Sequence, residues 1–93
     1  MTSNEKDVLT QLVERDKYGL ELVSGSEGRL KKNAIYVILG RMEDKGLIEG
    51  RSEPAPSGSQ GPPRRRYMAT DKGKVYLEDA LNVEKLLNGE PLP

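Results

Sequence analysis

The stretch Asn33-Ala34-Ile35-Tyr36-Val37-Ile38-Leu39-Gly40-Arg41-Met42-Glu43-Asp44-Lys45-Gly46-Leu47-Ile48 decides how this chain folds. Ile35, Ile38, Leu39 and Met42 recur at helical spacing, a capping residue, Asn33, stands in front of them, and Gly46 ends the pattern before an apolar pair. The reading is one helix, about 32–45, running into a strand. Arg29, Lys31 and Lys32 lie ahead of it, and a proline- and glycine-rich loop leading to Arg64-Arg65-Arg66 follows.

Toward the N-terminus, Thr2 precedes Glu5 by three residues, the pattern of a capping box, and Val8, Leu9, Leu12 and Val13 follow on one helical face. A first helix is expected over about 4–16. A short second helix is expected at 18–23, closed by the glycine-rich run Ser24-Gly25-Ser26-Glu27-Gly28. Arg29-Leu30-Lys31 reads as a strand of one or two residues with Leu30 inward.

Toward the C-terminus, 47–53 reads as a strand. Residues 54–63 hold four prolines and two glycines with no apolar anchor beyond alanine, so they are expected to form a flexible tip. Residues 64–70 return as a second strand, with Tyr67 and Ala69 on one side and Met68 on the other. Thr70 then caps a helix expected over 71–88, with Asp71 near its positive end and Gly89 and Pro91 stopping it. Its apolar residues cover more than one stripe, which suggests a second contact surface beyond the domain's own core. Leu77, Leu81 and Leu87 are the candidates for dimerisation.

The order helix, helix, short strand, helix, hairpin, helix describes an α+β, mostly helical fold: a winged helix-turn-helix with a two-stranded wing and a C-terminal helix. The division is 1–70 for the winged helix, with 54–63 as wing tip, 71–88 for the C-terminal helix, and 89–93 as a tail. One domain of this size buries a modest core, and association of two copies would enlarge it.

Composition narrows the function. The 93 residues include no cysteine and no histidine, which removes disulfides, thiolate and imidazole metal sites, and histidine-based acid-base catalysis. No enzyme activity, metal or cofactor is expected. No apolar run approaches membrane-spanning length, and a cytoplasmic location is the expectation. The net charge is zero, yet it is unevenly spread. Residues 1–28 carry three basic and six acidic side chains, 29–51 carry six basic and three acidic, and 64–74 carry five basic and one acidic. The tail from Val75 is acidic again. Two basic stretches between acidic ends can present one face to a polyanion.

The candidate DNA contacts are Lys31, Lys32, Asn33, Tyr36, Arg41, Arg64, Arg65 and Arg66. Lys31 and Lys32 flank a helix N-terminus, where the backbone N–H groups also favour phosphate, against the plainer reading of solvated lysines. Asn33 is suited to adenine and Arg41 to guanine or phosphate, while Ala34 and Val37 offer only apolar contact, for example to a thymine methyl. Tyr36 has two open roles, ring packing and hydroxyl donation to a phosphate. Strand alternation puts Arg64 and Arg66 on one face and Arg65 on the other; the arginines suit phosphate or the minor groove, or protect an exposed strand edge.

The run Tyr36-Val37-Ile38-Leu39-Gly40-Arg41-Met42-Glu43-Asp44-Lys45-Gly46-Leu47-Ile48 resembles the third helix of the PadR family of transcriptional regulators, which typically reads Tyr-Pro-x-Leu-x-x-Leu-Glu and ends in Gly-Leu-Ile. Tyr18-Gly19-Leu20-Glu21-Leu22 is similar to the family's second helix, and Arg66-Tyr67-Met68-Ala69-Thr70-Asp71-Lys72-Gly73 to its second wing strand and the following turn. Val37 stands where the family has proline, Met42 where it has leucine, and Ala69 where it has a larger aliphatic. The resemblance implies a double-stranded-DNA-binding regulator, most simply a repressor, acting as a homodimer on a pseudo-palindromic operator. A small-molecule effector is left unknown, the chain having no tryptophan or phenylalanine to stack a planar ligand. The alternative is a winged-helix adaptor that binds another protein and no DNA.

Overall fold

The computed structural model of the chain describes residues 2–54 and 64–89. The expected wing tip from residue 55 and the tail from residue 90 lie outside the described residues.

Helix α1, Ser3–Glu14, is started by a capping box: Thr2 Oγ1 accepts from the Glu5 N–H and Glu5 Oε1 accepts from the Thr2 N–H, both at 3.2 Å. Val8, Leu9 and Leu12 bury its inner face. It ends before the expected residue 16 because the chain extends at Arg15 to enter strand β1, Lys17–Tyr18. Helix α2, Gly19–Gly25, follows directly.

The expected strand at 29–31 is not formed. The chain instead reverses through Glu27 and Gly28, both at positive φ, and Ser26 Oγ accepts from the Leu30 N–H at 2.9 Å, which plugs Leu30 into the core. Its inward direction is as expected.

Helix α3, Ile35–Asp44, starts later than the expected residue 32, and Asn33 is not its cap. Residues 31–34 form a turn in which the Lys31 carbonyl accepts from the Ala34 and Ile35 N–H groups, so Ala34 takes the cap position without a side-chain bond. Ile35, Leu39 and Met42 are fully buried. At its other end Gly46, at φ 76°, lets the Leu47 N–H reach the Met42 carbonyl at 3.0 Å and the Gly46 N–H reach that of Glu43 at 2.9 Å. This pair of bonds is a Schellman motif, closed by contact between apolar residues on either side.

Strands β2, Ile48–Glu53, and β3, Arg64–Ala69, pair antiparallel as the expected hairpin. The sheet has three strands in the order β1-β3-β2, because Lys17 and Tyr18 pair with Tyr67 and Arg66. Tyr67 faces the core, as alternation requires.

Helix α4, Asp71–Leu87, is capped by Thr70, whose Oγ1 accepts from the Gly73 N–H at 3.0 Å and donates to the Gly46 carbonyl at 2.6 Å. The Thr70 N–H takes the Leu47 carbonyl at 3.1 Å, and Lys72 Nζ takes that of Lys45 at 2.7 Å. The start of α4 is thereby fastened to the end of α3.

Candidate nucleic-acid interface

The same packing that buries Ile35, Leu39 and Met42 turns the opposite side of α3 to solvent. Tyr36 and Val37 are more than half exposed, Arg41 is exposed, and Gly40 faces open space. Lys31, Lys32 and Asn33 are exposed in the turn ahead of it. The backbone N–H groups of Ala34, Ile35, Val37 and Ile38 all donate to carbonyls of Lys31 or Ala34. Those four N–H groups are therefore not available to an anion, whereas the side chains of Lys31 and Lys32 are.

Tyr36 is not a core residue. Its ring lies against Gly19 so closely that a methyl there would stand 2.8 Å from Cε1 and 3.1 Å from the hydroxyl. Gly19 follows Tyr18, and Tyr18 in turn carries two arginines of the wing. Tyr36 of α3 and these two arginines are thus linked through adjacent residues at the junction of β1 and α2.

The three wing arginines differ in what they touch. Arg65 points to the α3 side, where Nη2 is 2.9 Å from Glu43 Oε2 and Nε 3.3 Å from Oε1, with its guanidinium 5.9 Å from the Tyr67 ring centre. Gly50 makes room for this pair, since a methyl there would stand 2.9 Å from Glu43 Oε1. The hydrogen bond to Glu43 and its charge hold the Arg65 guanidinium above its ordinary pKa. Burial raises the Tyr67 hydroxyl, with the Glu43 charge acting in the same sense.

On the opposite side of the sheet, Arg66 Nη2 donates to the Tyr18 hydroxyl at 2.9 Å, and that hydroxyl donates to Glu53 Oε2 at 2.6 Å. Arg66 Nε lies 2.8 Å from Glu53 Oε1 with its N–H not aimed there, so that contact is an ion pair, while Nη2 donates a long hydrogen bond to Glu53 Oε2 at 3.4 Å. The bond to Tyr18, and then the Glu53 charge, raise the Arg66 pKa. Arg64 and Arg66 stand 5.3 and 5.0 Å from the Tyr18 ring centre. Among the described residues, Lys31, Lys32, Arg41 and Arg64 form no ion pair.

Tyr18, Glu43, Gly50 and Glu53 were not among the expected site residues. Alternation alone separates Arg65 from its neighbours, but their partners follow only from strand register. Leu77 needs correction: it is a core residue, buried against the domain itself, and not part of an unpartnered surface. Leu81 and Leu87 are exposed, 37% and 81%, alongside Val83 and Leu86. No helix among the described residues is long and apolar enough to cross a membrane.

Residues 8–79 match the model of the transcriptional regulator PadR-like family. The chain belongs to that family. Among solved structures it is similar to a PadR family transcription regulator from hypervirulent Clostridium difficile, at 28% identity, covering 95% of this chain and 97% of that one, with a TM-score of 0.75. A PadR family transcriptional regulator from Eggerthella lenta is similar at 27% identity, covering 91% and 74%, with a TM-score of 0.76. Bacillus subtilis PadR, solved in complex with operator DNA, shares the fold at 24% identity and a TM-score of 0.75; all of this chain aligns to 51% of that one. No curated protein sequence matches the chain. The winged helix and the PadR resemblance expected from sequence both stand.

Proposed function

We propose that this PadR-like chain is a sequence-specific double-stranded-DNA-binding repressor, acting as a homodimer on a pseudo-palindromic operator. The observation that carries the reading is the solvent-facing side of α3, rimmed by Lys31, Lys32 and Arg41 and joined through Tyr36, Gly19 and Tyr18 to Arg64 of the wing. The likeness in fold to a PadR protein solved with operator DNA supports it. In this reading residues 1–70 are the DNA-binding unit. The lysines grip phosphate, Val37 meets apolar base edges such as the thymine methyl, and Arg41 and Asn33 provide polar contacts. Repression is steric: two copies of α3 about 34 Å apart occupy successive major-groove faces. The protein works where the DNA is, in the cytoplasm.

The dimer is supported by the exposed apolar residues of α4, Leu81, Val83, Leu86 and Leu87, of which Val83 also lines an open cleft between α1 and α4. Leu81→Glu is expected to give monomers in sedimentation where the wild type gives dimers. A wild type that sediments as a monomer at high concentration removes the two-helix operator. Selection of bound duplexes from a random pool tests the whole reading, and the expected product is an inverted repeat. A chain that binds no duplex at about 50 mM salt, where phosphate contacts are strong, is an adaptor instead.

A further inference from the structure

We infer that Arg64 alone among the three wing arginines is presented to phosphate, and that Tyr18 positions it; this rests on the DNA-binding reading above. In sequence, alternation separates Arg65 from the other two but leaves Arg64 and Arg66 alike. The fold separates them by register: β3 directs Arg65 to Glu43 on α3, and sets Arg66 between Tyr18 and Glu53. Both guanidiniums already face a carboxylate at 2.8 to 2.9 Å. Arg64 forms no ion pair with a described residue, and its guanidinium rests over the Tyr18 ring.

The distinction matters because the salt dependence of DNA binding counts net ions released. An unpaired cation that neutralises a phosphate displaces a condensed counterion, worth about 0.9 in the slope of log affinity against log salt. A cation that leaves a carboxylate to do so exposes that carboxylate, which gathers cations from solution and cancels the release. Arg65 and Arg66 are of this second kind. Their work is to fix the wing: Arg65 to the end of α3, and Arg66, through the Tyr18 hydroxyl and Glu53, to β1 and β2. Arg64 is of the first kind. A long side chain loses rotamer freedom when it binds, and resting on an aromatic ring removes part of that loss beforehand. Tyr18 is therefore a positioning residue: its hydroxyl serves Arg66 and Glu53, and its ring serves Arg64.

The test is a salt titration of the full chain on a random-sequence duplex, followed by fluorescence anisotropy. Arg64→Gln is expected to lower the slope by about 0.9, with Arg65→Gln and Arg66→Gln each changing it by less than half as much. Tyr18→Phe, which keeps the ring, is expected to leave the Arg64 contribution in place. Tyr18→Leu is expected to weaken binding about two- to tenfold, the range for ordering one long side chain, and this loss should vanish when Arg64 is already glutamine. Equal slopes for the three arginine variants overturn the inference, as does a Tyr18→Leu loss that persists without Arg64. The arginines are surface residues, so their comparison holds even if Tyr18→Leu folds poorly. A wild type that binds no duplex sinks the DNA-binding reading itself; a wild type that binds with the wrong pattern sinks only the assignment of Arg64.

Discussion

Two glycines, each inside a helix, should answer the same substitution with opposite signs. Gly73 sits in the first turn of α4, where the helix crosses the start of β2. A methyl built on it overlaps the Leu47 carbonyl oxygen and lies 3.0 Å from the carbonyl carbon and 3.1 Å from Leu9 Cδ2. The obstacle is backbone, held in place by the Thr70 N–H and by the Schellman closure of α3, so it cannot swing aside as a side-chain tip would. Gly73→Ala must lift α4 from Leu47 and strain the Thr70 bonds. Overpacking of this kind costs about 3 kcal/mol, and the better helix propensity of alanine returns at most about 1 kcal/mol. The net loss of about 2 kcal/mol should lower Tm by about 8–16 °C in a domain of this size. Gly40, in α3, meets nothing within 4 Å, so Gly40→Ala keeps the propensity gain and should raise Tm by about 3–6 °C. Thermal melts by circular dichroism read both. If Gly73→Ala melts at or above the wild type, α4 does not seat on Leu47 and the account of that junction fails.

Leu39, fully buried in α3, should lose about 3 kcal/mol on truncation to alanine, seen as a Tm drop of about 12–24 °C. Burial alone would push the Glu5 carboxyl up, but the hydrogen bond from Lys45 at 2.6 Å, the Thr2 N–H and the Lys45 charge together hold it below its ordinary 4.5. A lowered carboxyl stabilises the fold above that value and loses its contribution as the pH falls through the depressed one. Below about pH 4.5, then, Tm should fall less steeply for Glu5→Gln than for wild type in melts across a pH series. Replacing Lys31 and Lys32 together by alanine should flatten the salt slope on duplex DNA by about 2 while leaving Tm unchanged; an unaltered slope would assign the two lysines to the solvent alone.

What could be read from the sequence is what local chemistry encodes. The capping box at Thr2 and Glu5, the glycine stop at Gly46 and the cap at Thr70 each appear in the structure as expected, because each is a contact within a few residues of chain. Strand β1 was missed for the converse reason. Two residues, Lys17 and Tyr18, carry no periodicity, and only their pairing to β3 makes them a strand. Leu30 was placed inward correctly but by the wrong element, since the Ser26 turn satisfies its backbone where a ladder was expected. Leu77 could not be told from Leu81 and Leu87, because α4 is apolar on several sides and only the position of α1 and the sheet selects the buried one. The arginine pairs lay furthest from view: Glu43 and Arg65 are 22 residues apart, and they meet only once α3 and the hairpin are both in place.

A net charge of zero does not argue against a polyanion partner, and the ion pairs show why. Lys6, Arg29 and Lys45 are each held by a carboxylate of α1 or α4, and Arg65 and Arg66 by Glu43 and Glu53. Those pairs are close to neutral at any distance. The cations outside them include Lys31, Lys32, Arg41 and Arg64, on α3, its leading turn or the wing. Of the carboxylates outside them, Glu14 and Asp16 lie at and just past the end of α1, Glu78 and Asp79 in the body of α4, and Asp44 at the far end of α3 from the lysines. At physiological salt a charge is screened over roughly 8–10 Å, less than the 14.7 Å radius of gyration of the chain. A phosphate approaching α3 therefore responds to the cations beside it far more than to carboxylates a domain's width away, and the sum over the whole chain has little bearing on what that surface attracts.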